Sequence, residues 1–220
     1  MARQALSADV QLATGASMRV RGPAAGLGVV CVNGGRAAEV EGTWSASLEW
    51  LVDRLAPRFP QLRFAEVRYR IKSWNRFDSC IADARAALAA VDAERILLLG
   101  FSMGGAVAIS VAHEARVTGV LGLAPWIPDR LPVEPLLGKR LDVVHGSRDR
   151  ALPGVPGVSP AGSKRGFERA QALGVPGTYT LIRGASHAIA LRAGRPVPMP
   201  RAGTWTRHVA AHLDEFVRAR

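Results

Sequence analysis

Three residues of the chain have the types and the order that nucleophilic catalysis by serine requires. A serine hydroxyl is a weak nucleophile until a base removes its proton, and a third group must orient that base. Ser102, Asp149 and His187 follow one another along the chain. They are therefore the candidate nucleophile, acid and base of a catalytic triad.

Ser102 lies in the pattern G-x-S-x-G at residues 100–104. The apolar run 95–99 before it is typical of a buried parallel strand, and the small and aliphatic residues 106–113 after it are typical of a helix. This strand-to-helix context makes the pattern specific, because so sharp a turn needs small neighbours two residues away on each side. We expect the turn to project the hydroxyl of Ser102 into open space.

The candidate acid and base also follow predicted strands. Strand 141–145 leads into a turn that places Asp149 on a loop, and strand 178–182 leads into the loop that carries His187. Catalytic residues on loops after parallel strands meet at one edge of the sheet. The sequence therefore predicts that these side chains lie close to Ser102.

A tetrahedral intermediate also needs two fixed N–H donors. The backbone amide of Met103, at the start of the predicted helix, is one candidate. The second is expected on loop 33–36, which follows the predicted strand 29–32 and contains two glycines that permit close approach to a substrate oxygen. An ordinary tight turn is the alternative interpretation of this loop.

These segments resemble the α/β-hydrolase family over nearly the whole chain. The sequences GFSMGG (100–105), HGSRD (145–149) and GASHA (184–188) look like the three catalytic segments of that family, in its order. The resemblance implies that Ser102 is the nucleophile, His187 the general base and Asp149 the acid. In length the chain looks most like small lidless members, such as dienelactone hydrolase-like proteins and short carboxylesterases.

The same resemblance bears on four further residues. In the family the loop after the first parallel strand usually begins His-Gly, and here Asn33 replaces the histidine, so the match points to the amide of Gly35 as the second oxyanion donor. Asp129 follows an earlier strand from which some members recruit the acid, but the sequence GSRD favours Asp149. His145 matches a structural histidine rather than a catalytic one.

Strands and helices alternate along the chain, which predicts a mostly parallel central sheet with helices on both faces. We interpret residues 1–220 as a single α/β-hydrolase domain with no lid domain. The predicted strands are 10–12, 18–20, 29–32, 64–69, 95–99, 117–123, 141–145 and 178–182. The predicted helices are one that begins after the N-cap Thr43 and ends before Pro57, then 78–91, 106–113, 164–173 with the N-cap Ser163, and 204–218.

Composition narrows the possible functions. Apolar residues make up 48% of the chain, no run approaches the length of a membrane span, and the N-terminus has no signal-like apolar segment. Cys31 and Cys80 have no CxxC partner, which suggests neither a disulfide framework nor a metal site. His208 and His212 are spaced for a metal but lack an acidic pattern. We expect a cytoplasmic protein that needs no cofactor, no metal and no membrane.

The net charge of +11 raises the possibility of a nucleic-acid partner. The positive residues are nearly all arginines and are scattered rather than grouped in one helix or tail, so a solvated basic surface is the better interpretation. The expected partner is a small-molecule substrate. No oligomeric state is predicted.

The expected reaction is hydrolysis of a carboxylic ester or thioester through an acyl-enzyme. A lactone or dienelactone hydrolase, a small peptidase and a non-enzymatic ligand-binding homologue are the alternatives. Arg36 and Trp126 are candidate substrate-binding residues. With Arg148 and Arg150, Arg36 is expected near the mouth of the site, where the three would favour carboxylate-bearing substrates or merely solvate the surface.

Two proline-rich segments, 125–135 and 192–200, follow the strand 117–123 and the histidine loop. The first is too short for a folded cap, so the site is expected to be open. The second could form one wall of the entrance. The alternative for both is an inert connection.

Overall fold

The computed structural model describes residues 8–24, 26–150 and 157–219. Its described strands, in chain order, are β1 (Ala8–Gln11), β2 (Ser17–Arg21), β3 (Leu27–Val32), β4 (Val40–Glu41), β5 (Leu62–Arg68), β6 (Ile71–Lys72), β7 (Arg95–Phe101), β8 (Val117–Leu123), β9 (Arg140–Gly146), β10 (Tyr179–Ile182), β11 (Ala190–Ala193) and β12 (Arg195–Pro198).

Eight of these strands form one sheet in the order β1-β2-β5-β3-β7-β8-β9-β10. The pairings β1–β2 and β2–β5 are antiparallel and the remaining five are parallel. The carboxyl ends of β3, β7, β9 and β10 therefore share one edge, where ligands bind in sheets of this kind. The remaining strands form two antiparallel pairs outside this sheet, the β4–β6 ribbon and the β11–β12 hairpin.

The helices cover both faces of the sheet. They are α1 (Ala46–Leu55), α2 (Phe77–Ala90), α3 (Met103–Ser110), α4 (Pro160–Ala172) and α5 (Ala202–Arg218). Apolar side chains of α1 and α5 pack in one buried cluster, and those of α2, α3 and α4 pack in the other. The predicted architecture, a mostly parallel sheet between two helical layers, is confirmed. None of the described helices is long and apolar enough to cross a membrane.

The boundaries of several helices differ from the prediction, among them those of α1, α3 and α4. Helix α1 is capped by Ser45 and not by Thr43, and the hydroxyl of Ser45 accepts from the amide of Leu48 at 3.3 Å. Helix α4 begins at Pro160 after the cap Ser159, ahead of the predicted cap Ser163. A proline at the first helical position has the right φ and loses no helical hydrogen bond, which explains the earlier start. The helix after Ser102 begins at Met103 and ends at Ser110.

The connection between β8 and β9 carries one short 3-10 turn, Glu134–Leu136, and no cap of helices. The other proline-rich segment, 192–200, is mostly folded into the β11–β12 hairpin, which packs against α1. Neither this hairpin nor the β4–β6 ribbon was predicted. Strands of two to four residues carry too little alternation to be recognised from the sequence.

Candidate active site

The backbone of Ser102 adopts a conformation that residues other than glycine rarely take, with φ 56° and ψ −122°. Its amide donates to the carbonyl of Leu123 at 3.0 Å, and its carbonyl accepts from the amides of Gly105 and Trp126, both at 2.9 Å. These bonds hold a strained turn at the junction of β7 and α3. The turn places Ser102 at the carboxyl edge of the sheet, as the sequence predicts.

The glycines around Ser102 are required by contact with neighbouring backbone. A Cβ atom on Gly100 would lie 2.5 Å from the carbonyl oxygen of Gly104, and one on Gly104 would lie 2.1 Å from that of Val32. A Cβ on Gly105 would lie 2.4 Å from the Cβ of Pro125. The glycines therefore let α3 begin directly against β3 and the loop after β8, which fixes the direction in which Ser102 points.

The side chains of His187 and Asp149 are joined by a hydrogen bond. The Nδ1 atom of His187 donates to Oδ2 of Asp149 at 2.7 Å, and both side chains are buried. The carboxylate is held further by the amide of Val158, which donates to Oδ1 at 3.0 Å. With the proton on Nδ1, the Nε2 atom of His187 is left as the acceptor, which is the tautomer that a general base needs.

His145 contacts the same carboxylate from inside the fold. Its Nε2 atom lies 2.8 Å from Oδ2 of Asp149 and 3.1 Å from the carbonyl oxygen of Val158. Both are acceptors, so Nε2 carries a proton. Burial acts to raise the pKa of Asp149, but the hydrogen bonds from His145 and His187 outweigh it, and the pKa lies below its ordinary value. Asp149 is therefore ionised at neutral pH.

Ser102 and His187 line one pocket of about 280 Å³. Within the described residues, the serine hydroxyl and the imidazole make no direct hydrogen bond. Catalytic hydrogen bonds are often long without substrate and tighten when it binds. The structure thus brings together the side chains of the predicted nucleophile, base and acid.

The predicted oxyanion loop lies against the serine turn. The side-chain amide of Asn33 donates to the carbonyl of Thr43 at 2.7 Å, and the backbone carbonyl of Asn33 accepts from the hydroxyl of Tyr69 at 2.8 Å. A Cβ on Gly34 would lie 3.2 Å from the Cβ of Ser102. Asn33, which replaces the usual histidine, thus anchors the loop beside the nucleophile.

Gly35 is enclosed by side chains rather than by backbone. A Cβ added to it would lie 2.4 Å from both the Sδ of Met103 and the ring of Trp74. Among the described residues, the amide of Gly35 has no backbone acceptor. Met103 is the first residue of α3, so no helical carbonyl is available to its amide. Neither amide donates to a described residue, so both remain candidate oxyanion donors.

The rival acid, Asp129, makes no contact with this arrangement among the described hydrogen bonds and ion pairs. The side chain of Asp129 is 74% exposed, and its nearest cation is Arg165, at 4.0 Å. It makes no hydrogen bond to a histidine in the described part of the chain. The geometry therefore favours Asp149, the acid preferred from the sequence.

The residues that the sequence predicts at or near the substrate lie in four different places. Arg36 lines the Ser102 pocket. Trp126 does not line it; its ring stacks on Trp74 at 6.5 Å beside the oxyanion loop. Arg148 lines a separate cavity of about 810 Å³ with Arg183 and Arg201. Arg150 is exposed and lines neither cavity.

Two cations of the pocket were not singled out from the sequence. Lys72 reaches it from the β4–β6 ribbon and Arg192 from β11. Both elements are too short to show periodicity, so no pattern placed Lys72 near Ser102, whereas Arg192 begins the segment 192–200 that was expected as a possible wall of the entrance. The one available signal was the rarity of lysine, which occurs only at positions 72, 139 and 164.

Comparison with solved structures identifies the fold. The chain superimposes on TT1662 from Thermus thermophilus (18% identity, 99% of this chain and 100% of the other, TM-score 0.67) and on an alpha-beta serine hydrolase homologue from Coxiella burnetii (17%, 97% and 99%, 0.59). It also matches MGS-M1, an alpha/beta hydrolase enzyme from a Medee basin deep-sea metagenome library (16%, 97% and 98%, 0.67). The chain has the α/β-hydrolase fold. No protein-family model and no curated protein sequence matches it.

Both cysteines of this α/β-hydrolase fold are buried free thiols, Cys31 in β3 and Cys80 in α2. Two histidines lie on α5. The Nδ1 atom of His212 lies 3.8 Å from a carboxylate oxygen of Asp142. The pKa of His208 is lowered from its ordinary value, chiefly by burial. In the described part of the chain, no group of three His, Cys, Asp or Glu side chains is placed to hold a metal ion.

Proposed function

We propose that the chain is a serine hydrolase that cleaves a small carboxylic ester or thioester through an acyl-enzyme. The observation that carries the proposal is the buried hydrogen bond from His187 to Asp149, 2.7 Å long, beside a strained serine turn. Strain is retained where the surrounding fold enforces it, and it concentrates at functional sites. The α/β-hydrolase fold supports many chemistries, so the proposal rests on this site and not on the fold.

In the proposed acylation step each group of the site has its own role. The Ser102 hydroxyl attacks the substrate carbonyl carbon while Nε2 of His187 takes its proton. Asp149 keeps the imidazole in the right tautomer and stabilises the imidazolium. The amides of Met103 and Gly35 donate to the oxyanion. His187 then gives the proton to the leaving alcohol or thiol as the carbonyl re-forms.

Deacylation repeats these steps with water. His187 removes a proton from a water molecule that attacks the acyl carbon, and the same proton returns to Ser102 as the serine leaves. The products are a carboxylic acid and the free alcohol or thiol. Each step needs only protein groups and water.

Esters and thioesters are preferred over amides because their leaving groups depart more easily, and the described pocket, about 280 Å³, suits a small substrate. A lactone or dienelactone hydrolase would use the same residues. A small peptidase would need an extended groove. A non-enzymatic binding protein would have no need of the buried His187–Asp149 pair.

The test is a panel of purified-protein assays on esters, thioesters, lactones and short peptides of graded acyl length. Ser102→Ala serves as the control in every assay. We expect the largest kcat/KM on a short-chain ester or thioester and loss of turnover in Ser102→Ala. Faster cleavage of peptides or lactones would redirect the assignment, and no Ser102-dependent turnover on any substrate would refute it.

A further inference from the structure

Lys72 is a cation in the candidate active site that the mechanism does not use. It ends β6 of the β4–β6 ribbon and lines the same pocket as Ser102 and His187. Its side chain is half-buried. Lysine is seldom buried without a partner, because burial removes the water molecules that hydrate its ammonium and an unpaired buried charge is unfavourable.

The described residues offer the ammonium of Lys72 few hydrogen-bond acceptors in place of water. The one hydrogen bond of Nζ to a described residue is a long one, 3.5 Å, to the hydroxyl of Thr43. No described carboxylate lies within 4.0 Å of Nζ, and residues 1–7, 25, 151–156 and 220 include no Asp or Glu. Lys72 is thus a half-buried cation that lacks an anion.

The nearby acids are engaged or face elsewhere. Glu49 binds Arg19 and Arg192 at 3.4 and 2.7 Å, and Glu39 binds Arg76 at 2.9 Å. Val40 pairs with Lys72 across the ribbon, which puts the neighbouring Glu41 on the opposite face.

The other charges of the pocket have the same sign as Lys72. Arg36 and Arg192 line it too, and only Arg192 has an acidic partner in the described structure. Burial, with these two arginines, lowers the pKa of Lys72 to about 8, against a smaller opposing effect of Cys80. The pocket therefore has an excess of positive charge that an anion would neutralise.

We infer that the substrate carries a carboxylate in addition to its ester, and that Lys72 binds this carboxylate at the wall of the Ser102 pocket, with Arg36 at the mouth. The inference rests on the proposed function. A carboxylate would give the Lys72 ammonium the charge-assisted hydrogen bond that it lacks. The free acid or alcohol that leaves would carry the same group, so the product would be a dicarboxylate or a hydroxy acid.

The first test measures substrate preference. Two matched pairs are compared: ethyl butyrate with ethyl hydrogen succinate, and propyl acetate with 3-acetoxypropanoate. The readout is the ratio of kcat/KM for the anionic ester to that for the neutral one. In the protein with Lys72→Met we expect this ratio to fall roughly tenfold or more for at least one pair, the loss of one hydrogen bond to a charged group.

The matched control is Lys164→Met. Lys164 lies on α4, is exposed and pairs with Glu168 at 3.6 Å. The substitution Lys164→Met lowers the net charge of +11 by the same amount as Lys72→Met. It therefore shows how much the net charge alone contributes to the preference. We expect its ratio to equal that of the unmodified protein. A ratio unchanged by Lys72→Met, or lowered equally by Lys164→Met, would overturn the inference.

The pH dependence supplies a second readout. With its pKa lowered to about 8, Lys72 loses its charge gradually as the pH rises through that value, so the preference for the anionic ester should decline between pH 7 and 9. The neighbouring Arg36 and Arg192 stay charged there, and burial raises the pKa of Cys80 to about 11, so that thiol stays neutral. Lys72→Arg should keep the preference across this range. A decline that persists in Lys72→Arg would contradict the assignment to Lys72.

A binding measurement separates this inference from the proposed function. Calorimetry with succinate on Ser102→Ala needs no catalysis. We expect succinate to bind, and to bind roughly tenfold more weakly when Lys72→Met is added. Succinate binding without any ester turnover would refute the hydrolase and keep the carboxylate subsite. Ester turnover with no Lys72-dependent succinate binding would do the reverse.

Discussion

Asp149 is the residue on which the geometry of the candidate triad depends. Its two oxygens accept from His187, His145 and the amide of Val158. A buried carboxylate with three donors has one orientation, and it fixes the imidazole of His187 in turn. The pattern GSRD favours Asp149 over Asp129, but no pattern in the sequence indicates that His145 would bond to the acid.

The acid can be identified by a pair of substitutions. Asp149→Asn should reduce kcat on the order of 10⁴-fold, because an amide at this position favours the wrong tautomer of His187. Asp129→Asn, in an exposed side chain, should leave kcat within about twofold. Steady-state kinetics on the best ester of the panel, with circular dichroism to verify folding, makes the comparison. A large loss in Asp129→Asn with activity retained in Asp149→Asn would move the acid to the loop after β8.

Some residues of the candidate site could be predicted from the sequence and others could not. Ser102, Asp149 and His187 occur in short patterns that depend on backbone geometry, and such patterns are visible in a sequence. Lys72 and Arg192 reach the pocket through tertiary packing of two short strand pairs. The proline-rich segment 192–200 suggested a wall of the entrance, but no local pattern records the packing of the ribbon, so the position of Lys72 had to come from the structure.

At the scale of the element, the junction of β7 and α3 shows why glycines surround the nucleophile. Helix α3 begins so close to β3 that Gly104 has no room for a methyl group. Gly162, in α4, has its nearest neighbour for an added Cβ at 3.7 Å. Two glycines in helices thus differ in the space around them, which provides a matched pair for mutation.

Gly104→Ala should lower the free energy of unfolding by about 3 kcal/mol, since its methyl group would overlap the carbonyl oxygen of Val32. It should also reduce activity by shifting Ser102. Gly162→Ala should instead raise the free energy of unfolding by about 0.5–1 kcal/mol, because alanine favours a helix and meets no clash. Urea denaturation measures both. Equal stabilities would show that α3 does not pack against β3 as described.

The elements themselves were largely predictable, and their ends were not. Apolar runs identified the central parallel strands, and helical spacing identified α1, α2 and α5. The caps failed where two candidates compete: Ser45 caps α1 instead of Thr43, and Ser159 caps α4 instead of Ser163. Cap choice depends on φ and ψ at the boundary, which packing decides.

At the scale of the whole molecule, the sheet accounts for the meeting of distant residues. Parallel β3, β7, β9 and β10 end at one edge. The loops after them carry Gly35, Ser102, Asp149 and His187, which are spread over 153 positions of the chain. The alternation of strands and helices is visible in the sequence, and it predicts that these loops share one edge of the sheet. It could not predict the positive pocket, which the ribbon and the hairpin complete.

The central claim is that Ser102 is an activated nucleophile, and covalent labelling tests it most directly. The protein is treated with a fluorophosphonate at neutral pH, digested and analysed by mass spectrometry. We predict one adduct, on the peptide that contains Ser102, with labelling abolished in Ser102→Ala and strongly slowed in His187→Ala. An adduct that persists in Ser102→Ala, or no adduct on the folded protein, would contradict the account.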